Sequence, residues 1–451
     1  MSDQQGELKR NVGPLQLMLY GIGSMLGAGI YGLVGKAAGI MGSAVWMAFG
    51  VAMVAALLTG ISYASIASRY PKAGGAAYAA HRAYRRPWLS YLIGLTVVSS
   101  GLSSIATQSK VVAANFNDLI GTQLPISLLA IGFLLIVAGI VYRGITESLI
   151  ANAVCTIVEA AGLILVIAVG SPYWGSASLL DTPVAASGTA EAITAGLLLQ
   201  GAVLTFFSFI GFEDMLNVAE EVKQPSRSMP IAVIGAMIVV SLIYMAVSVT
   251  AVSVVPWQEL RDAPGPLKLV IERAAPWFPA IGFTFITIFA VANTALINYV
   301  MGSRLLYGMA RQGLLPGILG RVHGKRQTPH VAIGILLAIV VVLQFLGDIS
   351  QLASATVLLL LFVFILVNGA LIVLKRREGN IAGCFNAPIF VPALGAMICA
   401  AMLVARAVDA DWKAPAIAGG LILAILGLYA VTGKGRAEKV AAYWAGEDAR
   451  S

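Results

Sequence analysis

The sequence predicts an all-α integral membrane protein with twelve transmembrane helices, and three observations carry that prediction. The 451 residues are 59% hydrophobic and only 11% charged, with a mean hydropathy of +0.88. Soluble domains carry about 25% charged residues, so this composition cannot clothe a water-facing surface. Apolar runs of about 20 residues recur along the whole chain, the length that crosses about 30 Å of hydrocarbon. Lys and Arg are distributed unevenly between the loops on the two sides, as the positive-inside rule requires.

The spans are expected at 13–37, 43–68, 88–118, 125–142, 147–170, 192–220, 229–255, 277–303, 329–347, 351–374, 388–408 and 413–432. With residues 1–12 as a cytoplasmic N-terminal tail and 433–451 as a cytoplasmic C-terminal tail, 22 of the 29 Lys and Arg residues face the cytoplasm. The outer loops hold only Arg261, Lys268, Arg273, Arg406 and Lys413. That asymmetry sets both termini inside. Lys110, near the outer end of the third span, is expected to snorkel to the interface. Residues 13–432 are expected to form a single twelve-helix membrane domain, and the loops between spans, 171–191 and 304–328 among them, leave no room for a nucleotide-hydrolysing module. The opening MSDQQGELKR is polar and has no cleavable-signal pattern. Cys155, Cys384 and Cys399 fall in or near apolar segments without pairing or metal-ligand spacing, so no metal, cofactor or disulfide is assigned.

The first span contains GIGSMLGAGIYG, residues 21–32, with five glycines in twelve positions. Each helical glycine costs roughly 1 kcal/mol relative to alanine. Gly21, Gly23 and Gly27 loosely mimic a dinucleotide fingerprint, but that motif needs a preceding strand and a βαβ unit. Close helix packing through Gly23 and Gly27 is a second reading. A third is a helix unwound at the bilayer midplane, where glycines free backbone groups to meet a substrate. The N–H groups of the second half would then favour a carboxylate. In the sixth span, Ser208, Gly211, Glu213, Asp214 and Asn217 interrupt the apolar run. Two adjacent carboxylates within a span need water, partners or an ion. This predicts a second break at Ser208–Gly211, although a helix ending at Gly211 and an amphipathic segment beyond it would fit the same residues.

GIGSMLGAGIYG in span 1, SRYPKAGGAAY after span 2, FIGFEDMLNVAEEVKQPSRSMP in span 6 and SRLLYGMARQGLLP after span 8 resemble the amino acid–polyamine–organocation superfamily, in order and over almost the whole chain. The resemblance implies a leucine-transporter-like fold: a first repeat over about 13–170, an inverted second repeat over about 192–374, and two peripheral helices over 388–432. It implies secondary transport by alternating access, with an unwound first helix from Ser24 to Gly29. Gly27, Ala28 and Gly29 would present N–H groups to a substrate carboxylate, and Met25 would line the pocket. Carbonyls of Phe206, Phe207 and Phe209 would accept the α-ammonium. Phe207 and Ile210 would pack on the side chain, with Phe207 also a candidate outer gate. Glu213 falls where family members often carry an acid, and would couple gate movement to protonation, sense substrate binding, or only cap the second half-helix. Asp214, Glu220 and Glu221 are expected to pair structurally with loop arginines.

Glu159 is the only interior charge of span 5 and stands where some proton-coupled relatives of the resembled family carry a lysine. It could carry the proton itself, help ligate sodium, or only bond a neighbouring helix, with Asn293 and Thr294 as polar neighbours. The leading expectation is a proton-linked amino acid transporter, by symport or exchange, of a bacterial-type inner (plasma) membrane. An amine or polyamine permease is the nearby alternative, and an amino acid sensor a remote one. The sequence does not choose the substrate or the oligomeric state. An enzyme is not expected: His81, His323 and His330 lie in loops, with no nucleophile–base set or metal cluster. The Arg- and Tyr-bearing loop after span 2 sits at a membrane face that should be basic, so no nucleic acid partner is expected; membrane lipid is.

Overall fold

The computed structural model describes residues 12–71, 75–143, 148–183, 192–323, 328–407 and 412–432, and these are helical with no strand among them. In chain order the helices are α1 Pro14–Met25, α2 Ala28–Met41, α3 Val45–Arg69, α4 Gly75–Tyr84, α5 Pro87–Ile120, α6 Ile126–Arg143, α7 Ser148–Gly170 and α8 Ala195–Phe206. They continue with α9 Pro225–Val254, α10 Trp257–Asp262, α11 Pro266–Ala274, α12 Ala280–Arg311, α13 His330–Leu343, α14 Ile349–Glu378, α15 Phe390–Ala407 and α16 Lys413–Thr432. Each interval expected to span contains helix. Among the described residues nine helical runs are long and apolar enough to cross a membrane, with Ala28–Arg69 counted as one run and α8 and α13 shorter.

Local chemistry sets the ends. Proline opens α5, α9 and α11 at the first helical position, where its missing N–H removes no bond. Gly121 ends α5 in the left-handed region. At α14 the Asp348 carboxylate accepts from Gln351 N–H at 2.8 Å, and Asp348 N–H donates to the Gln351 side chain at 3.0 Å. Lys375, Arg376 and Arg377 fill the last turn of α14, where cations suit the helix dipole.

The 34 residues of α5 extend about 51 Å at 1.5 Å per residue, longer than the roughly 30 Å of hydrocarbon. It packs on α12 and α14; α3 packs on α8 and α9, and α1 on α7 and α9. Large apolar side chains such as Ile136, Leu242, Phe285 and Leu423 face outward, an arrangement that suits lipid rather than water. At one end of the bundle α10 and α11 lie over α2 and α5: Lys36 donates to the Arg261 carbonyl at 2.9 Å, and Lys268 pairs with Asp118. Lys110 reaches the Gly347 carbonyl at this end, a fixed partner in place of free snorkelling. At the other end α4, a helix where the sequence predicts a loop, packs on α5 and α14, and Tyr84 donates to the Leu366 carbonyl at 2.8 Å.

Candidate functional site

Two helices are interrupted at the centre of the bundle. α1 stops at Met25; Leu26 is extended, and Gly27 takes φ +151°. A left-handed φ of this kind excludes a side chain without strain. No side chain caps the start of α2, so the N–H groups of Gly27, Ala28, Gly29 and Ile30 have no intrahelical acceptor. The break is narrower than the resemblance implied: Ser24 and Met25 end one helix, and Ala28 and Gly29 begin the next. In the sixth interval α8 gives way to a 3-10 turn at Phe207–Phe209. Ile210 is then extended, Gly211 takes φ +125°, and a second 3-10 stretch covers Phe212–Glu221.

The breaks press on each other through reciprocal glycine–serine contacts. A Cβ on Gly29 would lie 2.8 Å from Ser208 Cβ, and one on Gly211 would lie 2.6 Å from the Ser24 carbonyl carbon. Neighbouring helices occupy the carbonyls freed by unwinding. The Tyr244 hydroxyl of α9 lies 2.7 Å from Met25 O and 2.9 Å from Ser208 O. Thr294 of α12 donates to Leu26 O at 2.7 Å. Phe207 O accepts from Ile210 N–H at 3.3 Å.

Beyond the second break, Gly211 N–H donates to Glu213 Oε2 at 2.9 Å, and the Ser24 hydroxyl donates to Asp214 Oδ2 at 3.0 Å. Both carboxylates are buried. They line a cavity of about 40 Å³ together with Ile210, Ser100, Ser104 and Asn298. A second, 20 Å³ cavity lies beside Glu213, between Tyr63 and the Gly75 end of α4. A water needs roughly 10–15 Å³ on this measure, so both volumes admit water and neither admits an amino acid side chain. Asp214 corrects its expected pairing with a loop arginine: its partner is the Ser24 hydroxyl at the break. The side chains of Glu220, Glu221 and Asn217 lie outside the described residues.

On α7, Glu159 is fully buried; Oε1 accepts from Asn293 Nδ2 at 3.1 Å, while Oε2 has no partner. Tyr31 of α2 donates to the Glu159 backbone carbonyl at 2.6 Å. Among the described residues no basic side chain forms an ion pair with Glu159, and no group of His, Cys, Asp and Glu could hold a metal.

Comparison with known proteins matches a family model described as "Amino acid permease" to residues 12–431. The chain belongs to the amino acid permease family, within the amino acid–polyamine–organocation superfamily. The permease is similar to the branched-chain amino acid permease BcaP of Bacillus subtilis (strain 168), 29% identical over 417 residues that cover 87% of each chain. It is also similar to the methylthioribose transporter of the same organism, 29% identical over 420 residues and 87% of each chain. Cationic amino acid transporter 9, chloroplastic, of Arabidopsis thaliana is 28% identical over 337 residues, which cover 70% of the permease and 58% of that protein. The protein is therefore a multi-pass membrane permease and not an enzyme.

Of the residues expected to bind substrate in the permease, Ile210 lines the cavity, as does the expected gating residue Glu213. Met25, Gly27, Ala28, Gly29, Phe206, Phe207 and Phe209 are buried at the two breaks and do not line that cavity. Asn293 bonds Glu159, whereas the adjacent Thr294 turns to the first break. Tyr244 and Tyr31 hold this centre together, unforeseen from the sequence, as does the bond from Ser24 to Asp214. Their sequence signal is a lone hydroxyl on an apolar span, which does not say what faces it.

Proposed function

We propose that the permease is a secondary active amino acid transporter working by alternating access. The observation that carries this reading is the packing of two interrupted helices, at Gly27 and Gly211, against each other in the middle of the bundle. Irregular backbone at membrane depth is tolerated where protein or a cavity satisfies it, and such half-helix ends supply partial charges to a zwitterion without charged side chains. The free N–H groups from Gly27 to Gly29 receive the carboxylate. Carbonyls of Phe206, Phe207 and Phe209 receive the α-ammonium, Met25 and Ile210 flank the side chain, and Phe207 gates the outer side. The similarity to a branched-chain amino acid permease and to a cationic amino acid transporter supports the substrate class.

The reciprocal Gly29–Ser208 and Gly211–Ser24 contacts support two inverted repeats, about 13–170 and 192–374, with 388–432 peripheral. The Lys and Arg asymmetry supports cytoplasmic termini in a plasma membrane. The α4 end is then cytoplasmic, the α10–α11 end is outside, and the cavity beside Glu213 and Asp214 lies on the inward path. Glu159 takes up and releases the coupling proton: it is buried in α7, one carboxylate oxygen accepts from Asn293 and the other has no partner. The test is uptake of labelled amino acids into proteoliposomes under an imposed inward pH gradient, by the wild type and by Glu159→Gln. Gradient-driven uptake by the wild type, lost in Glu159→Gln, is expected. A variant that still follows the gradient unchanged removes Glu159 from coupling.

A further inference from the structure

We propose that a groove along the outward face of α9, at its Pro225 end, binds one anionic phospholipid, with the headgroup phosphate at Arg227 and an acyl chain along Ile231, Ile234 and Ile238. The groove is apart from the breaks and the cavity beside Glu213 and Asp214. Its assignment to the cytoplasmic leaflet rests on the orientation proposed above.

The groove holds about 550 Å³ between α9 and the segment ahead of α15, with Arg227, Ile231, Ile234, Ile238, Cys384 and Phe385 among its walls. Ile231 and Ile238 are exposed, as side chains facing lipid are. Eleven residues separate Arg227 from Ile238, a rise of about 16 Å along the helix, close to half of the roughly 30 Å of hydrocarbon. The groove therefore has the length of one leaflet, with its cation at the end of the helix and its apolar walls running inward. Hydrogen bonds hold the two walls at a fixed spacing. The Ser68 hydroxyl of α3 donates to the Ser226 carbonyl at 3.0 Å and accepts from Phe385 N–H at 2.8 Å.

The charge at this end selects the occupant. Arg227 is exposed, as is Lys223 four residues earlier, and neither forms an ion pair among the described residues. One residue beyond Ser68 and one beyond Phe385, Arg69 meets Asn386: Nη2 donates to Asn386 Oδ1 at 2.7 Å. Arg69 is only 8% exposed, and its Nε and Nη1 have no hydrogen-bond partner. Lys375 donates to the next carbonyl, that of Ala387. Among the described residues no carboxylate pairs with Arg69 or Lys375. The 30-residue α9 starts here without a side-chain cap, and its dipole adds positive potential at the same place.

An uncompensated positive end on an apolar groove fits a molecule with an anionic head and a hydrocarbon tail. Cations at a cytoplasmic membrane face attract anionic headgroups. A zwitterionic lipid brings a cation of its own to Arg227, and a free anion leaves the isoleucine wall unfilled.

The test measures binding of phosphatidylglycerol and phosphatidylcholine, with identical acyl chains, to the purified full-length permease in detergent, by native mass spectrometry and thermal shift. Phosphatidylglycerol is expected to bind at least about fivefold more tightly, the scale of one unpaired cation near a membrane surface. Arg227→Gln is expected to bring the two lipids within about twofold of each other. Arg376→Gln removes another exposed cation from this end, on α14 and outside the groove, and should leave the preference unchanged. Ile234→Trp, which fills the groove, should weaken both lipids. Both arginine variants alter exposed residues, so the charge comparison stands even if size-exclusion profiles show Ile234→Trp misfolded.

Equal binding of the two lipids by the wild type, or the same loss of preference in Arg227→Gln and Arg376→Gln, overturns the site and leaves only diffuse surface charge. Inorganic phosphate stabilising the permease as much as phosphatidylglycerol, or unchanged lipid binding by folded Ile234→Trp, overturns the groove as the seat of the lipid. A wild-type dimer that Ile234→Trp dissociates makes the groove a contact between two copies, which also overturns it. These readouts need no substrate, so the site and the transporter reading fail separately.

Discussion

The Tyr244 hydroxyl donates to the Met25 carbonyl oxygen at 2.7 Å, and the same hydroxyl lies 2.9 Å from Ser208 O. One side chain on α9 thus serves both broken helices. Unwinding leaves these carbonyls without helical partners, and a buried unpaired carbonyl costs about as much as a lost hydrogen bond. Tyr244→Phe keeps the ring and its contact with Phe209, at a centroid distance of 5.3 Å. The variant is expected to lose about 1–3 kcal/mol of stability and to transport more slowly. Denaturation in detergent and initial uptake rates check both. Unchanged stability would mean that another donor reaches the two carbonyls.

Thr294 holds the other freed carbonyl of the first break, and its side chain fills the space beside Gly27: a Cβ on that glycine would lie 3.1 Å from Thr294 Cβ. Shape and hydrogen bond can be separated here. Thr294→Val keeps the volume and removes the donor, so a loss of about 1–3 kcal/mol is expected. Thr294→Ser keeps the donor and should lose less. If valine proves as stable as threonine, the Leu26 carbonyl does not depend on this bond.

Gly211 combines a positive φ with backbone contact on Ser24, so neither rotation nor a side-chain shift can accommodate a methyl group. Gly211→Ala is expected to abolish uptake. Gly139 on α6 has nothing within 4 Å of an added Cβ, and Gly139→Ala should be neutral or stabilising by up to about 1 kcal/mol. Parallel uptake assays at matched reconstituted amounts make the comparison. Equal activity of the two variants would contradict the tight crossing of the breaks.

Apolar length made the spans legible. The expected 88–118 and 388–408 correspond to α5 Pro87–Ile120 and α15 Phe390–Ala407. Glycine density in the first span and polar residues in the sixth drew attention to both breaks, because they oppose the composition around them. The Ser24–Asp214 bond was not legible, because it joins positions 190 residues apart and depends on which faces of two irregular segments meet. Asp214 looked like a loop-facing acid for that reason. α10 and α11 were also missed: they are six and nine residues long, too short for a periodic apolar pattern to declare itself.

At the α10–α11 end, Lys268 pairs with Asp118 and lies 3.6 Å from Glu272. Burial works against its charge, but the two carboxylates outweigh it and hold the Lys268 ammonium above the ordinary lysine range. A raised lysine pKa stabilises fully below the unfolded value, near about 10.4, and the benefit is lost only as pH rises through the folded value. The pair should therefore hold unchanged between about pH 6 and pH 9. Its contribution should be about 0–1 kcal/mol and should fall with salt. Denaturation of Lys268→Met against wild type across that pH range and at two ionic strengths checks this. A difference that varies with pH in this window would contradict it.

The most direct test of the transporter reading is uptake by sealed proteoliposomes containing the purified permease, with a mixture of labelled amino acids outside and an inward pH gradient. The account predicts that at least one amino acid accumulates above its external concentration, that collapsing the gradient releases it, and that the same amino acid without its α-carboxylate fails to compete. Equilibration without accumulation would contradict proton coupling. Equal competition by the decarboxylated amine would contradict capture of the carboxylate at the start of α2.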